Sequence, residues 1–257
     1  MADPVYTKYI AFLSHMNELS FQTFKIHPDY TTILKHVSEE QGETYLTLLR
    51  GLHLSETEIM NFCTMNDLKG TPNRYIYELK LRPGMIDYIP VSPASLRYLY
   101  HAHLILTHFT RYQRASIPIV EIGGGYGGLC LAIHFLLTAT SYFPAVSISS
   151  YTMIDLPDVL SLQTKYLSHH HSISFPVSFV SANTYGKSVP EGTFLISNDC
   201  FSVLDPHHQK EYLTHLFPKL VHGFMAWNRV PFFPIGKSVN VFPEEPQTGK
   251  QNLLVSF

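Results

Sequence analysis

The chain has 257 residues, 45% of them hydrophobic and 15% charged, which supplies a folded core and excludes a disordered protein. Its formal net charge of -2 excludes an overall positive field that would draw it to nucleic acid or to an anionic membrane. The expected partner is a small or neutral molecule.

The first residues, MADPVYTKYI, lack the basic start and apolar run of a signal peptide, and the longest apolar stretch, LCLAIHFLLTA, falls short of a membrane span. Cytoplasmic placement is expected, without a membrane span. Cys63, Cys130 and Cys200 are far apart and show no CxxC spacing, which fits a reducing compartment. Residues 1–115 read as an N-terminal helical region that would serve as a lid, an acceptor-side wall or an oligomer contact. Helical spacing runs through Tyr45, Leu48, Leu49 and Leu52, and again through Leu96, Leu99, Tyr100, His103 and Leu104, with breaks at GTPN and RPG. Ser55 followed by Glu58 matches a capping box, and SPAS at 92–95 supplies a second helix start.

From Ile117 the texture changes. Short apolar runs alternate with helical segments: IPIVEI, a helix through LCLAIHFLL, SSYTMID, a helix through DVLSLQTKYL, VSFVSA, TFLISN, a helix through HHQKEYLTHLF, and GFMAWN. This alternation predicts an α/β domain over 116–257 with a mostly parallel sheet, to which NLLVSF would add an edge strand.

In such a sheet a ligand sits outside the carboxyl ends of the strands, and the first strand-to-helix turn is where bare backbone approaches it. Here that turn reads IVEIGGGYGG. Gly123, Gly125 and Gly128 satisfy GxGxxG, the dinucleotide pattern, and Gly123, Gly125 and Gly127 equally satisfy GxGxG. Glu121 separates the two, because a carboxylate at the strand end repels pyrophosphate and pairs with an ammonium group. S-adenosylmethionine carries that ammonium and no pyrophosphate. Asp155 ends the second strand, where an acid accepts hydrogen bonds from both ribose hydroxyls. Ala182 and Asn183 end the third strand and would flank the adenine edge.

Taken together, EIGGGYGGL, YTMIDLPDVLSLQTKYL and LISNDCFSVL, with GTPN and VSPASLRYLYHAHLI upstream, resemble the sugar O-methyltransferases, a class I S-adenosylmethionine-dependent group associated with surface glycan synthesis. The resemblance covers about residue 66 to the C-terminus, and GGGYGG with DLP followed by Gln163 is its specific part. It implies a Rossmann-like class I methyltransferase sheet and a sugar or glycan acceptor. It places Glu121, Gly123, Gly124, Gly125 and Gly127 at the methionine part of the cofactor, Asp155 and Leu156 at ribose and adenine, and Asn183 near adenine, with Asn198 on the same side. Where the family pattern resembles SNxxFSEL, this chain has Val203 in place of the acid.

Methyl transfer to a hydroxyl is an in-line displacement that needs alignment and a proton acceptor. The candidates past the fourth strand are Asp199, Asp205, His207 and His208, with Asp199 first and His207 second. Asp205 followed by Pro206 also reads as a helix N-cap. Asn228 and Arg229, at the end of the fifth strand, could hold sugar hydroxyls. Arg97 and Tyr98 are the candidates from the helical half, Arg97 sharing a face with His101. His222, at the opposite end of its strand, is excluded. His169, His170 and His171 read as a solvated loop, and no metal site is expected. The competing readings are an NAD-dependent oxidoreductase and a non-catalytic glycan-binding module of the same fold.

Overall fold

A computed structural model describes residues 4–34, 37–111, 116–170, 173–228 and 231–257. Its helical region contains α1 (Pro4–Ser14), α2 (Glu18–Thr23), the single turn α3 (Pro28–Thr31), α4 (Glu39–Gly51), α5 (Glu56–Asn66) and the long α6 (Pro93–Thr110). The Ser55 hydroxyl accepts from the Glu58 N–H at 3.2 Å, and the Glu58 carboxylate accepts from the Ser55 N–H at 2.8 Å, so α5 begins in the expected capping box. At α6 the start rests on Pro93 in the first turn, and Ser92 makes no side-chain cap.

The segment between α5 and α6 departs from the helical expectation. There β1 (Tyr75–Leu79) pairs antiparallel with β2 (Asp87–Val91) around the RPG turn. Tyr77 and Leu79 point inward while Ile76 is 56% exposed. This two-residue alternation of aromatic and aliphatic side chains suits a pleated strand rather than a helix.

The large sheet contains β3 (Ile117–Ile122), β4 (Ile148–Asp155), β5 (Val177–Ser181), β6 (Thr193–Asn198), β7 (Leu220–Trp227), β8 (Asn240–Pro243) and β9 (Leu253–Ser256). They lie in the order β5-β4-β3-β6-β7-β9-β8, the first five parallel and β9 antiparallel to both of its neighbours. The expected mostly parallel, Rossmann-like α/β sheet is therefore present. One detail is corrected: NLLVSF is not the edge. It forms β9 inside the sheet, with Val255 fully buried, and the outermost strand is β8, whose four exposed residues carry no alternating signal.

Crossovers run through α7 (Gly128–Thr138), α8 (Pro157–Ser168) and α9 (Pro206–His215). Alternate residues of the central strands feed two apolar cores. Ile119 and Ile196 join Leu49, Phe62, Leu99, Leu131 and Tyr166, which ties the N-terminal helices to α7 and α8. Val120 and Leu195 join Phe201, Tyr212, Leu216 and Trp227 on the other side. Chain order reverses at β3, between β4 and β6, and this switch point is where an open α/β sheet offers a crevice. Among the described residues no helix is long and apolar enough to cross a membrane.

Candidate cofactor and acceptor site

The crevice starts at the glycine turn. Gly123 follows β3 and donates its N–H to the Ile154 carbonyl at 3.0 Å, which pins the turn to β4. Its φ of +75° is the left-handed region, and a Cβ there would fall 2.3 Å from Cys200 Sγ. Only glycine meets both conditions. Gly125, at φ +56°, has nothing nearer to a built Cβ than Tyr98 Oη at 3.6 Å, so its bare backbone faces open space. Gly127 caps α7 and packs against Leu167, away from that space.

A cavity of about 200 Å³ opens over this turn. Its floor is Glu121, Gly123, Gly124, Gly125, Asp155 and Leu156, all expected from the sequence. Its roof comes from the helical region through Tyr9 of α1, Tyr30 of α3 and Leu34. Arg97, Tyr98 and His101 of α6 line it together with Asn198, Asp199 and Asn228. The four-residue spacing of Arg97 and His101 thus puts both side chains on one cavity wall.

Two carboxyls define the floor chemically. Glu121 is 2% exposed, and its Oε2 accepts from the Tyr151 hydroxyl at 2.9 Å. Burial pushes its pKa up to about 7, against the Tyr151 bond and with added repulsion from Asp155. Asp155 accepts from the Leu156 N–H at 2.9 Å on one oxygen and from Gln163 Nε2 at 2.9 Å on the other. Burial pushes it up to about 7 as well, although these donors and the Gly124 N–H oppose the shift. Neither acid has an ion-pair partner among the described residues. Gln163 also donates to the Gly125 carbonyl at 3.0 Å, so one amide orients both the acid and the glycine turn. The sequence shows Gln163 as part of a pattern; its role needs the fold.

At the far end, Asp199 adopts φ +58°, an uncommon conformation for an aspartate, and its N–H donates to the Ala226 carbonyl at 2.9 Å. Its carboxylate forms an ion pair with the Arg97 guanidinium. Burial works against the charge of Arg97, but Asp199, Tyr45 and Glu244 outweigh it and hold the guanidinium ionised. Asn198 accepts the Ala226 N–H through Oδ1 at 3.3 Å, which turns its amide nitrogen toward His101 Nδ1 at 3.1 Å. His101 is therefore assigned an Nε2 proton, and burial, reinforced by Arg97, pushes its pKa down to about 3. Asn228 accepts from the Ser202 hydroxyl at 2.7 Å. Glu244, fully buried behind Arg97 and His101, was not a candidate from the sequence; nothing in EEP near the C-terminus signals a contact with α6.

Other expected residues lie elsewhere. His207 is exposed at the start of α9, where its N–H and that of His208 donate to Asp205 Oδ1 at 2.9 and 3.1 Å. Asp205 is an N-cap, and His207 does not line the cavity. Ala182 and Asn183 form a turn after β5 outside the lining; Ala182 packs on the second core and Asn183 is exposed. Leu156 and Val159 line the cavity in their place, because α8 begins directly beside Asp155. Arg229 and His171 lie outside the described residues. His170 is not solvated as expected: it is buried against the Tyr166 ring, at 4.8 Å between centroids.

No protein-family model and no curated protein matches the sequence. Among solved structures, the mitomycin 7-O-methyltransferase MmcR matches 64% of this chain and 54% of its own at 15% identity, with a TM-score of 0.42. The pyocyanin biosynthetic protein PhzM matches 64% of this chain and 56% of its own at 14% identity, with a TM-score of 0.43. LepI in complex with SAM matches 58% of this chain and 45% of its own at 13% identity, with a TM-score of 0.42. The chain spans about half the length of these structures.

Proposed function

We propose that the chain binds S-adenosylmethionine and transfers its methyl group to a hydroxyl of a sugar, carried on a glycan or a nucleotide. The observation that carries the cofactor half is the pair Glu121 and Asp155. Two recessed carboxyls, without an ion-pair partner among the described residues, face one cavity across a glycine turn, and burial is the largest cause that raises each. Such a floor favours a ligand that brings its own positive charge and a vicinal diol, and it disfavours a pyrophosphate. The cofactor would supply the activated methyl group. Glu121 would hold its ammonium, Asp155 its ribose hydroxyls and Leu156 the adenine side, while Gly125 admits close approach.

The acceptor half rests on the polar end of the cavity. Arg97, His101, Asn198, Asp199 and Asn228 crowd the carboxyl ends of β6 and β7, and donors and acceptors at that density suit a polyhydroxylated molecule. Asp199 is the proton acceptor in this reading. Its ion pair with Arg97 favours a second reading, in which the chain binds cofactor and glycan without turnover, because the base is already engaged.

Incubation with methyl-labelled S-adenosylmethionine and a panel of monosaccharides, nucleotide sugars and phenols decides between them. Label in a sugar ether is the expected result. Label in phenols alone would remove the sugar, and binding with no transfer to any acceptor would favour the non-catalytic reading.

A further inference from the structure

Paired with Arg97 through one carboxylate oxygen, Asp199 is a weak base, because taking a proton from a hydroxyl would remove the charge that balances the guanidinium. Releasing Arg97 requires another anion, because a buried guanidinium without a counter-charge is strongly unfavourable. Glu244, which follows β8, supplies one. It is 2% exposed, and its Oε2 accepts from the Thr248 N–H at 3.1 Å, the Thr248 hydroxyl at 2.7 Å and Asn252 Nδ2 at 2.8 Å. Those three donors fix the carboxylate in place. Its Oε1 is buried and accepts no hydrogen bond from the described residues, yet lies 3.9 Å from Arg97 Nη2 and 3.9 Å from His101 Nε2. A shift of the guanidinium by about 1 Å would turn that gap into a charge-assisted hydrogen bond.

We infer that Glu244 is a positioning residue that takes Arg97 from Asp199 when an acceptor enters. The geometry gives Arg97 two anions within one small movement, one at the reacting end and one behind it. With Arg97 on Glu244, the acceptor O–H bond breaks with its electron pair left on oxygen, and the proton passes to Asp199. This assignment rests on the reading of Asp199 as proton acceptor given above. It also explains why a wholly buried acid sits in a loop otherwise devoted to joining β8 and β9.

A stability cycle tests the arginine's two partners without any ligand, so its outcome is separate from that of the methyltransferase reading. Asp199→Asn and Glu244→Gln each leave Arg97 one anion, and each is expected to lower the unfolding midpoint by about 3 °C or less. The double variant strands the guanidinium and is expected to lose about 10 °C or to fail to fold, and adding Arg97→Met is expected to restore folding. Additive losses, or a triple variant as damaged as the double, would overturn the inference. A crystal structure of Asp199→Asn gives a direct view: Arg97 bonded to Glu244 Oε1 is expected, and Arg97 unmoved beside Asn would contradict it. On any hydroxyl the enzyme methylates, Glu244→Gln is expected to lower kcat about a hundredfold with KM unchanged, and to add nothing in the Asp199→Asn background. A rise in KM alone would also overturn it.

Discussion

Replacing Glu121 by glutamine should stabilise the ligand-free protein at high pH while removing its cofactor site. Burial raises this carboxyl from its ordinary 4.5 to about 7, and no cation among the described residues pairs with the charge it carries above that pH. Below the unfolded value the group is neutral whether the chain is folded or not, so it neither helps nor harms. As pH rises past the unfolded value the unfolded state ionises first, and above the folded value folding carries the penalty in full. A displacement of two to three pH units corresponds to about 3 kcal/mol. Glutamine keeps the shape and can still hydrogen bond to the Tyr151 hydroxyl, but never ionises. Asp155 is present in both proteins and cancels to first order. Urea unfolding at about pH 4 should therefore give similar stabilities, and at about pH 8.5 the variant should be the more stable by about 3 kcal/mol. The same variant should bind S-adenosylhomocysteine at least about tenfold more weakly. A variant no better than the parent at high pH, relative to low pH, would refute the view that Glu121 is held at the expense of stability for a ligand.

Other changes read the remaining roles. Asp155→Ala removes the acceptor that Leu156 and Gln163 orient, and S-adenosylhomocysteine affinity measured by calorimetry should fall about 10- to 100-fold. Asp199→Asn should keep that affinity within about threefold and lower kcat by about a hundredfold or more, which single-turnover transfer of labelled methyl would show. Gly123→Ala meets a left-handed backbone and the Cys200 side chain together, so unfolding stability should drop by about 3 kcal/mol in a denaturant titration. Because Glu121 and Asp155 both sit near 7 in the ligand-free protein, binding at about pH 7 should release protons, and calorimetry in buffers of different ionisation enthalpy counts them.

Much of the cofactor side is legible in the sequence because it is local. A strand end, a glycine turn and the next strand's final acid occupy fixed places in an α/β unit, so Glu121, Gly125 and Asp155 could be placed together before any coordinates. Asp205 and Pro206 likewise announce a helix start by themselves. What the sequence hides is long-range. Tyr9 and Tyr30 roof a floor that starts only at Glu121, and Glu244 meets Arg97 only because β9 folds back beside β7 and carries β8 with it. The β1–β2 hairpin was masked by its helical neighbours, and Ala182 and Asn183 lie outside the cavity lining because the chain turns after β5.

Isothermal titration with S-adenosylhomocysteine, run beside NAD on the same folded sample, tests the central claim most directly. Saturable one-to-one binding of the homocysteine product, absent for NAD and weakened in Asp155→Ala, is the predicted result. Binding of NAD in its place, or of neither, would contradict the assignment of Glu121 and Asp155 to a cationic, ribose-bearing cofactor.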